Sequence, residues 1–324
     1  MIQNISIEIA DIADIPCDLV VLKYAQGLHG ADASVAERMR RIKGSETKID
    51  PMPGDYIVIP SRKSVAASKV LFMGVFPLHR FDYSQIRNFS RQSLSIIAEK
   101  LPDVARIAMT IHGVNYGLDE RESFLAQLGG IIDAEKLGVS FEQVMIVERD
   151  AERAERLQAI LNEFRPQVSS TKISKVLSDR PYITAGAESL RKPHIFVAMP
   201  FAKEMKDVYI FGIQGPVNAA GYLCERIDMA TFTGDIIERV KSRIKTAALV
   251  VADLTGGNPN VYLEVGYAWG TGRSTLLLAK EDTPLTFDVR GQRCILYDSI
   301  SDLAEKLSAD LPVGKRLGRL AESF

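Results

Sequence analysis

Short apolar runs rich in Val and Ile alternate with longer amphipathic stretches along the first half of the chain. The runs at 5–9, 19–23, 56–60, 70–75, 107–111 and 144–148 carry the β-branched residues of strands. Between them, 33–42, 83–101, 119–137 and 150–164 repeat apolar residues at helical spacing. Strands alternating with helices of this length predict an α/β sheet with helices on its faces. From 166 to 192 the periodicity fades, the stretch 166–171 is polar, and Pro181 and Pro193 interrupt the chain, which reads as a linker.

A second alternation begins near His194. The charge-free run 195–199 predicts a buried parallel strand, stopped by Pro200. Helix over 202–220, broken at Gly212 or Gly215, leads to a strand at 222–226. Helix over 234–246 places Ile236, Ile237, Val240 and Ile244 on one face. Strands at 247–252, 274–279 and 294–297 and helices at 261–270 and 299–311 complete a Rossmann-like parallel sheet. The expected organisation is a regulatory or ligand-sensing domain at 1–165, a linker at 166–192 and a nucleotide-handling domain at 193–324. A chain of 324 residues has room for two cores.

Composition narrows the function classes. Apolar residues make up 46% and charged residues 25%, the balance of a globular protein. The net charge of −1 comes without a basic run, so no duplex nucleic-acid footprint is present. A small nucleotide needs no such patch, because backbone amides at a helix start can hold its phosphates. Cys17, Cys224 and Cys294 are far apart and form no C-x-x-C pair, so neither disulfides nor zinc is expected, in keeping with a cytoplasmic protein. The beginning of the chain lacks a signal-peptide pattern, and no apolar run nears the roughly 20 residues of a membrane span. His29, His79, His112 and His194 are scattered, so no metal site is expected; His112, beside Gly113, is expected to bond a loop backbone.

The candidate chemistry lies in the second half. Ligands of open α/β sheets sit beyond the carboxyl ends of the strands. Met199-Pro200-Phe201, Arg226 to Asp228, Asp253 to Asn260 and the start of the helix bearing Glu264 should meet there. Gly256 and Gly257 let backbone approach a ligand, Asn258 belongs to the same turn, and Asn260 is a candidate N-cap. Gly266, Ala268 and Gly270 are small enough for close packing on the sheet. A carboxylate at a pocket floor can attack, or stabilise, an anomeric carbon as an N-glycosidic bond breaks. Asp228 or Asp253 could bind ribose hydroxyls or protonate the base. A purely structural reading competes: strand-end Asp and N-cap Asn recur across α/β folds, and Glu264 in a first helical turn suits the helix dipole. Arg226 and Arg273 could each pair a phosphate or a surface carboxylate. Trp269 reads as core or interface, and Lys241, Arg243 and Lys245 as a solvated helix face.

These residues carry a resemblance. Phe196-Val197-Ala198-Met199-Pro200-Phe201, Asp228 and Ala252-Asp253-Leu254-Thr255-Gly256-Gly257 resemble the nucleoside 2-deoxyribosyltransferase-like, or TIR-like, group of bacterial nucleotide-binding proteins. So do Asn258-Pro259-Asn260-Val261-Tyr262-Leu263-Glu264-Val265-Gly266 and the stretch Pro284 to Arg290 with Arg293. The resemblance spans about residues 193–298. It implies a flavodoxin-like fold, Glu264 as the catalytic glutamate, Met199-Pro200-Phe201 lining the nucleoside pocket, and Asp253 as the strand-end acid. It also implies NAD or a nucleoside as substrate, no required cofactor, and a role in anti-phage defence. The large N-terminal half departs from the free-standing transferases and favours a sensor–effector arrangement, expected to be homo-oligomeric. That half is similar to macro domains and to the N-terminal domain of leucine aminopeptidases, through Ala10-Asp11-Ile12, Cys17 to Val21, Gly27, Gly30 and the loop His112 to Asp119. Macro domains bind ADP-ribose-like ligands through such loops. Three functions therefore stand side by side: an N-glycosidase, a non-catalytic nucleotide sensor, and a scaffold.

Overall fold

The six apolar runs of the first half pair into one sheet. In the computed structural model, residues 2–41, 48–114, 116–169, 181–227, 236–286 and 289–311 are described. The strands are β1 (Ile5–Ile9), β2 (Leu19–Tyr24), β3 (Tyr56–Pro60), β4 (Lys69–Gly74), β5 (Arg106–Thr110) and β6 (Gln143–Glu148), in the order β1-β6-β5-β2-β4-β3. All neighbours are parallel except β3, which runs antiparallel to β4 at the edge. Pro60 closes that edge strand, where a missing N–H costs no interior ladder bond. Central β2 buries Leu19 to Leu22 completely, as a strand covered on both faces must. The helices are α1 (Ala31–Arg40), α2 (Tyr83–Lys100), α3 (Glu120–Lys136), α4 (Ala151–Ser169) and the short α5 (Pro181–Thr184). Val35, Ala36 and Met39 of α1 pack on Val20, Leu22, Val70 and Phe72. Full burial of a side chain the size of Val35 or Met39 contributes roughly 1.5–3 kcal/mol.

The chain divides into two compact units, Met1–Val114 with Glu120–Leu190, and Asn115–Asp119 with Arg191–Phe324. The expected linker is corrected in part. Where described, 181–190 packs within the first unit: Arg87 donates to the carbonyls of Ile183 (3.0 Å) and Ala185 (2.6 Å), and Ser189 Oγ donates to buried Glu122 at 2.6 Å. A polar stretch without periodicity can still be held by side chains that reach its backbone.

The loop after β5 brings a second correction. The periodicity starts helix at Asp119, but α3 begins at Glu120, and Asp119 belongs to the second unit. There its buried carboxylate accepts from the Cys224 backbone N–H at 2.9 Å and from Asn218 Nδ2 at 2.8 Å. Tyr116 bridges Ile227 in antiparallel fashion. Gly117, at φ +94°, leaves no room for a Cβ, which would lie 2.3 Å from Ile227 Cγ1. His112, expected to bond a loop backbone, instead lies edge-on to Phe89 with ring centroids 4.5 Å apart. Its buried Nε2 finds no hydrogen-bond partner among the described residues, and burial lowers its pKa well below the usual value.

The second unit is a parallel five-stranded sheet of β7 (His194–Ala198), β8 (Leu223–Glu225), β9 (Leu249–Asp253), β10 (Thr275–Lys280) and β11 (Cys294–Tyr297). The order β11-β10-β9-β7-β8 is the flavodoxin-like order 2-1-3-4-5 read from the other edge. One face carries Val197, Met199 and Val251 against Ile213, Val217, Leu303 and Leu307, from the segment after β7 and from α9 (Ile300–Asp310). The other carries Phe196, Ala198, Val250 and Ala252 against α7 (Ile236–Thr246) and α8 (Pro259–Gly270). The expected 202–220 helix is composite: a π-helical stretch Val208–Gln214 passes into α6 (Gly215–Ala219) at Gly215, one of the two predicted breaks. On α7, Val240 and Ile244 are buried, whereas Ile237 is exposed.

Among the described residues no helix is long and apolar enough to cross a membrane, and no group of three His, Cys, Asp or Glu side chains is placed to hold a metal ion.

Candidate functional site

The switch point of the second sheet lies between β7 and β9, whose connections leave in opposite directions; in sheets of this kind the ligand crevice lies outside the carboxyl ends of those strands. The pairing Ala198↔Ala252 sets Met199 and Asp253 at the lip of this crevice. Met199 is buried, Pro200 half-buried and Phe201 exposed.

Asp253 is fully buried and engaged by the protein itself. Its Oδ1 accepts from Thr255 N at 2.9 Å, and its Oδ2 accepts from the Tyr297 hydroxyl at 2.9 Å. Burial raises its pKa, and the bonds from Thr255 and Tyr297 oppose that rise. Thr255 Oγ1 in turn accepts from Lys280 N at 3.0 Å. This network fixes the turn Thr255–Gly257, where Gly256 and Gly257 take φ of +77° and +63° and both are exposed. Asn258, rather than Asn260, caps α8: its side chain accepts from Asn260 N at 2.9 Å. The helix starts two residues earlier than the pattern implied, because Pro259 is well suited to the first helical position.

That earlier start changes the setting of Glu264. It is the sixth residue of α8, beyond the first turn in which the helix dipole favours negative charge. Glu264 is 8% exposed, flanked by buried Val261, Val265 and Ala268, and no hydrogen bond or ion pair reaches its carboxyl among the described residues. Desolvation pushes its pKa up to about 8. Burial alone accounts for the raised value, and a position beyond the first turn gives the carboxylate little help from the helix dipole. Gly266 and Gly270, expected against the sheet, are exposed with nothing near their Cβ positions; only Ala268 of the three packs inward.

The other candidates fall in different places. Arg226 follows β8 and stacks on Phe201 and Tyr209, with its guanidinium carbon 4.1 and 4.0 Å from the ring centroids. Asp228, Phe287 and Asp288 lie outside the described residues. Arg273 sits past the carboxyl end of α8, away from the loop at its start. Arg293 pairs with Asp310 at 2.7 Å, and Arg290 Nε donates to the Leu285 carbonyl. Arg243 is no solvated residue: it pairs at 2.6 Å with Glu225, which is fully buried. Trp269 is partly exposed, at 38%. Tyr297 and Tyr209 went unread in the sequence. Tyr297 ends the fifth strand on the face that Asp253 shares, a signal legible only once strand order is known.

No family model matches the chain, and no curated protein matches it. Among solved structures, the chain is similar to a Trypanosoma brucei macrodomain, with TM-score 0.41 and 16% identity over 48% of this chain and 66% of that one. The same macrodomain in complex with ADP-ribose gives TM-score 0.40 and 16% identity over 48% of this chain and 68% of that one. A point mutant of the Oceanobacillus iheyensis macrodomain gives 0.40 and 13%, over 50% of this chain and 92% of that one. Each match covers about half of this chain, and its kind is the one that the N-terminal residues resemble, not the one that the Glu264 motif resembles.

Proposed function

We propose that the second unit cleaves or transfers the N-glycosidic bond of a nucleotide or nucleoside, with NAD as the leading substrate and Glu264 as the catalytic carboxyl. The observation that carries this reading is an unpartnered carboxyl buried on α8, the helix that follows the switch-point loop, with its pKa pushed up to about 8. Such a group lies close to neutrality, where a small change in its surroundings decides its charge. A cationic pyridinium, or the positive charge that builds on the sugar as the bond breaks, favours the carboxylate. The C1′–N bond then breaks with its electron pair leaving on the base. Glu264 stabilises the oxocarbenium-like sugar or bonds to C1′, and water or an acceptor hydroxyl completes the exchange. Asp253 acts through the loop: it positions Thr255–Gly257 and does not meet the substrate. Asp228 remains the candidate for ribose hydroxyls.

The first unit belongs to the same proposal as a regulatory part, by ligand binding or assembly, within an anti-phage effector. A second reading, a sensor that binds nucleotide without turnover, has one observation in its favour: near pH 7 a carboxyl with a pKa of about 8 is mostly uncharged and a poor nucleophile. Incubation of the full chain with NAD, nucleosides and nucleotides, followed by chromatography, separates the two. Release of nicotinamide or another base by wild type and not by Glu264→Gln is the expected result. Ligand binding without any product selects the sensor.

A further inference from the structure

We infer that the outer face of α8 is a self-association surface, through which two copies of the chain pair about a two-fold axis.

The exposed residues of α8 are Pro259, Asn260, Leu263, Gly266, Trp269 and Gly270, and none is charged. Leu263 is 70% exposed. Glu264, the carboxyl of this helix, is buried. The neighbouring helices turn charge to water instead: Glu238 and Lys245 on α7, and Glu305 and Lys306 on α9, are exposed. An outward helix face with a large apolar side chain and no charge is the kind that a partner covers.

The relief of this face says which partner. Helical spacing puts Leu263, Gly266 and Gly270 on one stripe. Leu263 stands out as a knob, and the two glycines leave a gap further along, with nothing within 4 Å of the place a Cβ would take at either. Glycine weakens a helix relative to alanine. Two other helical glycines of this chain have a neighbour that requires them. A Cβ at Gly130 of α3 would lie 2.2 Å from the Arg87 carbonyl oxygen of α2, and one at Gly212 would lie 2.7 Å from Leu303 Cδ2. At Gly266 and Gly270 the chain supplies no such neighbour.

A second copy supplies it, because knob and gap share one face. In an antiparallel pairing with the axis beside Gly266, each Leu263 stands opposite Gly270 of the partner subunit. Such an interface is isologous: the same patch serves on both sides. The two helix dipoles run in opposite directions, and no charge on the stripe meets its own image. A face such as that of α7 would set like charges against each other. Lys245 Nζ, 6.0 Å from the Tyr267 ring, lies beside the stripe and gives the patch a polar rim.

The test is sedimentation of the full chain at about 100 µM, above the micromolar Kd of a weak specific interface. Wild type should sediment at twice the mass of one chain. Leu263→Arg alters an exposed side chain and spares the core, so a normally folded protein should sediment as one chain. Gly270→Leu fills the gap and should weaken association by about tenfold or more. Gly266→Cys, beside the axis, should form a disulfide with its own copy under mild oxidation, whereas Ser301→Cys on the exposed side of α9 and wild type should not. A wild type of single-chain mass overturns the proposal and leaves the face to a different protein. A double mass that survives both Leu263→Arg and Gly270→Leu also overturns it, since the copies then meet elsewhere.

Discussion

The Tyr297 hydroxyl donates to Asp253 at 2.9 Å, so β11 and β9 are tied together across β10. The same hydroxyl lies 3.3 Å from Thr255 Oγ1, which links the tie to the turn before α8. Tyr297→Phe keeps the ring and leaves Asp253 Oδ2 buried without its donor. A loss of about 1–3 kcal/mol in stability is expected, measured by denaturant unfolding. Turnover should fall as well, because the turn that leads to Glu264 loses one of its supports; unchanged stability would show that the tie contributes nothing.

Glu264 sets a direction for pH dependence. Its pKa is raised from 4.5 to about 8 in the folded chain, so between those values the folded state holds more protons than the unfolded one. Stability contributed by this site is therefore full below about pH 4.5 and is lost as pH rises through about 8. Glu264→Gln removes the titration. It should match wild type at pH 5 and exceed it by roughly 2–4 kcal/mol at pH 9, in melting experiments across that range. Equal pH slopes for the two proteins would contradict the buried, unpaired setting.

Gly256 has open space around it, yet its φ of +77° is a conformation that side chains other than glycine rarely adopt. Gly256→Ala should cost about 1–2 kcal/mol through backbone strain alone, and Gly256→Asn less, since Asn tolerates this region better. The ranking can be read from urea midpoints; a neutral alanine variant would mean that the turn relaxes.

In the first unit, Lys23 Nζ and Asp32 Oδ2 pair at 2.6 Å with both side chains almost completely buried. Burial raises the Asp32 pKa even against the pull of Lys23. Lys23→Met leaves an uncompensated carboxylate and should cost about 3–5 kcal/mol, whereas Lys23→Met with Asp32→Leu should recover most of the loss. A double-mutant cycle by chemical denaturation measures the coupling. A double variant as unstable as the single one would place the role of the pair elsewhere.

Element positions were legible in the sequence wherever apolar runs were short and uninterrupted, as at β7, β9 and β10. Order within the sheets was not, since nothing in Leu223-Cys224-Glu225 announces an edge strand. The Glu264 motif was legible as a motif, but its environment depended on where α8 begins, and Pro259 together with Asn258 moved that start back by two residues. Arg243 misled because its neighbours Lys241 and Lys245 are solvent-facing, while its own partner, Glu225, is a lone charge within an apolar strand. Periodicity reports which face a residue shares, and long-range partners such as Tyr297 for Asp253 leave no trace in it.

The four-residue stretch Tyr116–Asp119 has a consequence for how such a chain can be taken apart or recombined. Asp119 supplies the acceptor for the Cys224 amide from 105 positions earlier in the chain. A gene fragment that begins at β7 therefore lacks part of its own interior, and leaves the β8 amide at Cys224 and the side chain of Asn218 without that carboxylate. The two halves are thus not interchangeable cassettes. Exchange of the first half by recombination, in nature or in the laboratory, must carry a compatible loop after β5 or repair the seam it leaves.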